Sequence, residues 1–127
     1  MPRTLSRGEK PLDWVGSSKR DFLTFPAAVK DEMGNALGVA QFCGKHPSTK
    51  PWKGQGPGVF EVVEDHDGDT CRAADTVRFQ DVVYVLHAFQ KKSPDRIRTA
   101  QPDIDMVARH LKIAQQDHQA RHAKPNR

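Results

Sequence analysis

Cysteine is nearly missing from this sequence: Cys43 and Cys71 are the only two, and neither has a second Cys or a His at ligand spacing. That excludes a disulfide framework and a cysteine-rich zinc module, and leaves free thiols as the expectation for a reducing compartment. Long apolar runs are missing as well. Nothing approaches the roughly 20 consecutive apolar residues of a spanning helix, and the opening MPRTLSRGEK has basic residues with no apolar stretch behind them. Neither a membrane anchor nor an ordinary signal peptide is expected, so the expected address is cytoplasmic.

The familiar ligand motifs are absent too. EDHDGDT (64–70) is acidic, but its Gly falls too early for an EF-hand and no bidentate Glu follows. His46, His66 and His87 are scattered, and there is no HExxH or CxxC. GQGPG (54–58) does not lead from a strand into a Lys-Ser/Thr helix start, so it is not a P-loop. No metal and no small-molecule cofactor is expected.

What is present fits one domain. A chain of 127 residues is of the commonest single-domain size and can bury a core without staples. The net charge is +4, compatible with nucleic acid or an acidic partner. Its distribution is uneven. Lys45, His46, Lys50 and Lys53 form one basic stretch and Lys91, Lys92, Arg96 and Arg98 another, with Glu61, Glu64, Asp65, Asp67 and Asp69 between them.

The chain pattern predicts a flexible tail over 1–9, a domain over 10–118 and a flexible basic tail over 119–127. Lys10 to Val15 reads as a short strand broken by Gly16. Ser17 or Ser18 caps a short helix over 18–25, with Ser18 and Asp21 at capping-box spacing. Pro26 ends that helix or opens the next, in which Val29, Met33, Ala36, Leu37 and Ala40 recur at helical spacing and Gly44 is the expected stop. Residues 44–58 read as an irregular loop. Three strands follow, over 59–64, 70–79 and 82–90, the first two joined by the hairpin signal Asp67-Gly68. The last, VVYVLHAFQ, is apolar enough to be covered on both sides. A final helix begins at Pro102 and buries Ile104, Val107, Leu111 and Ala114. The fold class is therefore α+β, in the order β-α-α-β-β-β-α, with helices expected on one face of a small, mostly antiparallel sheet.

On the third of these strands His87, Phe89 and Lys91 project from one face, with Lys92 next. Beside Arg72 they would combine an imidazole, an aromatic ring and several cations, a set suited to RNA. The plainer reading is a hydrogen-bonded core histidine and lysines that solvate the strand exit.

KPLDWVGSSKRDFLTFP (10–26), KHPSTKPWKGQGPGVFEVVEDHDGD (45–69) and VRFQDVVYVLHAFQKKS (77–93) resemble the phage-derived HigB-like toxins, a branch of the RelE/ParE superfamily of type II toxin–antitoxin systems. The resemblance runs from about Lys10 to Leu111. It implies a RelE-like fold, a helix-turn-helix antitoxin as partner, and ribosome-dependent, metal-independent cleavage of mRNA in which the 2′-hydroxyl attacks the neighbouring phosphate. Carried residue by residue, it implies catalytic roles for Arg72, His87, Lys91 and Lys92, and RNA contacts for Phe89, Lys50 and Lys53; Arg96 and Arg98, from the second basic stretch, are expected to add RNA contacts. Two departures stand out. Cys71 and Asp75 replace the tyrosines that bracket the strand arginine in the family, and Asp95 to Ala100 replaces a Gly-Ile-Lys-Thr-Pro segment. The alternatives are a ParE-like toxin that binds a protein such as gyrase, and a remnant that binds only its antitoxin.

Overall fold

The computed structural model describes residues 5–91 and 99–122. Its elements run β1 (Leu12–Trp14), α1 (Ser18–Phe22), α2 (Ala27–Gln41), β2 (Thr49–Pro51), β3 (Val59–His66), β4 (Asp69–Thr76), β5 (Val83–Lys91) and α3 (Gln101–His122). The five strands form one sheet in the order β1-β5-β4-β3-β2. Only the β1–β5 pair is parallel; the other three are antiparallel. This is the α+β class expected from the sequence pattern.

Local chemistry explains the connections. The β3–β4 hairpin turns on Asp67 (φ 50°) and Gly68 (φ 83°), both left-handed as a two-residue type I′ turn requires. Helix α1 takes Ser17 as its N-cap residue; the Ser17 hydroxyl donates to Asp21 at 2.8 Å, while that of Ser18 donates to the Val85 carbonyl. The end of α2 is a Schellman turn. Gly44 N–H reaches Val39 O and Cys43 N–H reaches Ala40 O. The left-handed residue there is Cys43, at φ 66°, not the glycine expected to stop the helix. Gly16 breaks β1 at φ +57°, and a Cβ on it would lie 2.7 Å from His110 Cε1, so only glycine fits.

Two expectations need correction. The segment 44–58 is not wholly irregular, because Thr49–Pro51 adds an edge strand to β3. Proline is tolerated there because an edge strand leaves one side of its backbone unpaired. The helices, moreover, do not share one face. Phe22, Phe25, Val29, Met33 and Ala36 of the α1–α2 layer pack with Val62, Cys71, Ala73 and Ala88. Val107, Leu111 and Ala114 of α3 pack with Ala74, Leu86 and Phe89 on the other side. That double cover explains why β5 is apolar on both faces.

Strand β4 stops at Thr76, short of the expected Phe79, and Arg78 turns back to brace the glycine-rich loop. Its guanidinium donates to Gln55 O and Pro57 O. Both cysteines are free, Cys43 exposed and Cys71 buried. Helix α3 continues to His122, and no helix among the described residues is long and apolar enough to cross a membrane.

Candidate nucleic-acid interface

The hairpin register decides which side chains meet. Because side chains alternate along a strand, the pairs Thr70–Lys91, Arg72–Phe89 and Ala74–His87 put these six residues on one face of β4 and β5. Strand β3 adds Asp65, Val63 and Glu61 opposite Thr70, Arg72 and Ala74, and Lys50 of β2 stands opposite Glu61. Helix α3 covers the Ala74 end of this face. The Thr70–Arg72 end opens into a cleft of about 810 Å³, whose walls include Lys50, Trp52, Lys53, Glu61, Asp65 and Arg72.

The charges in the cleft are paired more than the basic stretches suggest. Arg72 Nη1 donates to Glu61 Oε1 at 2.7 Å, and both side chains are only partly exposed, at 12 % and 13 %. Asp65 accepts from the Thr70 hydroxyl at 2.9 Å. Lys50 and Lys53 are exposed on the rim. Lys91 is buried beside Thr70, so its ammonium sits beneath the surface rather than projecting from it.

His87 and Phe89 support the cleft from below. Their rings stack 4.9 Å apart at 15°, and Trp52 meets Phe89 edge-on at 6.3 Å. Phe89 is only 7 % exposed, so it is buried and not the open stacking surface expected of an RNA-binding ring. His87 Nε2 lies 2.8 Å from Asp103 Oδ1 at the start of α3. An ionised carboxylate only accepts, so Nε2 is the donor. The indole Nε1 of Trp52 is buried with no hydrogen-bond partner among the described residues, although Trp52 lines the cleft. A buried donor without an acceptor is costly, and an acceptor entering the cleft would satisfy it.

Of the residues anticipated for catalysis, Arg72, His87 and Lys91 share one face; Lys92 lies outside the described residues, as do Arg96 and Arg98. Lys50 and Lys53 reach the same cleft. Sequence reasoning missed Glu61, Trp52 and Asp103. Glu61 was within reach: once Asp67-Gly68 sets the register, counting back places it on the face of Arg72. Asp103 was not, because its meeting with His87 depends on where α3 docks.

Behind the site, the positions flanking Arg72 lie on the α2 side. Cys71 is fully buried and its thiol is pushed up, first by burial and then by the charge of Asp69. Asp75 is 3 % exposed. Burial pushes its carboxyl from 3.8 up to about 7, against a smaller opposing effect of a backbone hydrogen bond. Tyrosine at either position would have to enter this packed layer, so substituting the family's rings would overpack the core rather than simply re-aim Arg72.

A small mixed sheet with three helices and this element order is compatible with the RelE-like class. The family model described as phage-derived protein Gp49-like (DUF891) matches residues 20–112. That is most of the chain, and the chain belongs to this family, a RelE/toxin-like family of toxin–antitoxin systems. No curated protein and no solved structure matches it.

Proposed function

We propose that this chain is the toxin of a type II toxin–antitoxin pair and acts as a metal-independent mRNA endoribonuclease on the ribosome, with a helix-turn-helix protein as its antitoxin. The observation that carries the reading is the convergence of Arg72, His87 and Lys91 on one sheet face, beside a cleft rimmed by Lys50 and Lys53. In this reading the RNA backbone enters the cleft over the rim lysines, and a phosphate oxygen takes the place of the Glu61 carboxylate on Arg72. The Trp52 N–H then finds an acceptor. The 2′-hydroxyl attacks the adjacent phosphorus, its proton passing to Nδ1 of His87, whose Nε2–H the Asp103 carboxylate holds in orientation. Arg72 and Lys91 offset the charge that builds on the phosphoryl oxygens. The bond to the 5′-oxygen breaks as that oxygen takes up the proton now on His87, leaving a 2′,3′-cyclic phosphate and a 5′-hydroxyl and returning the imidazole to its starting state.

The Arg72–Glu61 pair favours a second reading, an attenuated toxin that retains mainly antitoxin binding, because the phosphate must displace a buried carboxylate. A protein-binding, ParE-like mode would have to rest on exposed apolar side chains, and among the described residues the large ones are Leu5, Leu23, Phe42 and Ile113.

Cleavage of mRNA on programmed ribosomes by the purified chain, with cyclic-phosphate ends mapped, tests the proposal. Arg72→Ala, checked for folding by thermal melt, should abolish cutting. Glu61→Gln should raise it several-fold by releasing the guanidinium. No cutting by either the native chain or Glu61→Gln at micromolar protein would overturn the nuclease reading and leave antitoxin binding as the function.

A further inference from the structure

Far from the cleft, the turn between β4 and β5 meets the last turns of α3. His118 and His122 are four residues apart on the helix and therefore neighbours on one side of it. Their rings stack 4.1 Å apart. Asp81, in the turn, reaches both, with Oδ1 2.8 Å from His118 Nε2 and Oδ2 2.5 Å from His122 Nε2. The ligand atoms of the three side chains all lie within 4.8 Å of one another. We propose that Asp81, His118 and His122 form a binding site for a divalent transition metal ion, zinc by the chemistry of its ligands, which pins the end of α3 to the β4–β5 turn.

Several observations beyond the juxtaposition support it. His122 Nδ1 lies 2.9 Å from the His118 carbonyl oxygen, to which it donates; this aims Nε2 at Asp81. A backbone carbonyl on the far nitrogen is the usual device for orienting a metal-binding imidazole. Phe79 stacks on the His118 ring at 4.4 Å and is itself held edge-on by Tyr84. His118 is thus backed by the core, while Asp81 and His122 are exposed and can adjust. Two imidazole nitrogens and a carboxylate are a donor set for zinc and its neighbours, not for magnesium or calcium. Tetrahedral coordination at about 2.0–2.1 Å places ligand atoms roughly 3.3 Å apart, slightly wider than the present 2.5 and 2.8 Å, so the exposed side chains need open only a little. Three protein ligands leave a fourth position for water.

Both nitrogens of His122 face acceptors, the His118 carbonyl and Asp81. Zinc takes the Nε2 position that now faces Asp81, any proton there leaving to solvent, and the Nδ1 bond persists. Among the described residues, Arg121 lies beside the site on α3 and is held by Asp13 at 2.5 Å and Asp117 at 2.9 Å, so its charge is partly neutralised.

The test uses the full chain without a polyhistidine tag, stripped with a chelator and titrated calorimetrically with zinc chloride, with parallel thermal melts in zinc and in magnesium. Expected are one zinc per chain and a melting temperature raised by zinc and not by magnesium. His122→Ala and Asp81→Asn should each weaken zinc binding by at least about tenfold, whereas His66→Ala, on the distant β3–β4 hairpin, should leave it unchanged. Both test positions are exposed, so these variants should fold as the native chain does. Absence of zinc binding at submillimolar metal, or affinity unchanged in both His122→Ala and Asp81→Asn, would overturn the proposal.

Discussion

Asp75 shows how one substituted residue sets a pH dependence for the whole fold. Its folded carboxyl titrates at about 7 and its ordinary value is 3.8. Between these values the folded chain keeps a proton that the unfolded chain has released. Stability therefore falls as pH rises from about 4 to about 7 and this contribution is constant above, by linkage. At about 1.4 kcal/mol per pH unit, the loss reaches an order of about 4 kcal/mol. Asp75→Asn keeps the shape and removes the ionisation. Its stability relative to the native chain should climb across that window and level off above it, as measured by urea denaturation at several pH values. A difference that stays flat from pH 4 to 8 would show that Asp75 is solvated. Three positions away on the same strand, Arg72 has the opposite character: its guanidinium meets the Glu61 carboxylate at 2.7 Å, so its partial burial is compensated by an ion-pair partner.

Among the elements, α3 does two jobs that one stripe of side chains controls. Val107, Leu111 and Ala114 bury it against the sheet, and that docking brings Asp103 to His87. Leu111→Ala should cost about 2–5 kcal/mol, because a side chain with 5 % exposure leaves a cavity its neighbours fill only in part. Chemical denaturation measures this, and an unchanged midpoint would mean that α3 is not docked in solution. The far end of the same helix is tied by polar contacts instead. Tyr84 donates to Asp117 at 2.6 Å; burial first, and then this hydrogen bond, push the tyrosine hydroxyl well above its usual value, and Arg121 bridges Asp117 to Asp13. Apolar burial thus sets the start and middle of α3, and ion pairs set its last turns.

For the molecule as a whole, the cleft is less basic than the net charge suggests. Lys50, Lys53 and Arg72 share it with Glu61 and Asp65, so the rim lysines, which are exposed and reach the solvent, should carry most of the screened attraction to RNA. Replacing both Lys50 and Lys53 with Ala should weaken binding of single-stranded RNA and reduce the slope of log K against log salt by about 0.7 for each phosphate no longer neutralised. Fluorescence anisotropy over a salt series reads that slope. A slope equal to the native one would place the RNA elsewhere on the surface.

Much of this architecture was legible from the chain alone, because hydrophobic period and turn chemistry are local. The alternation in β4, the apolar run of β5, the stripe on α3 and the Asp67-Gly68 turn each report a backbone state and a buried face without reference to any distant residue. The convergence of Arg72, His87 and Lys91 followed from strand alternation and antiparallel pairing. Periodicity says which face of an element is apolar but not what covers it, which is why the helices divide between the two sides of the sheet and not onto one. Composition likewise hid β2, whose Pro51 and flanking glycines resemble a loop until β3 offers them a partner. Asp103 beside His87, and Asp81 beside His118 and His122, are separated by 16 to 41 positions along the chain. Such pairings are decided only when burial of the α3 stripe fixes the distances over which charges and ligands act, and at those distances the tertiary structure alone chose the partners.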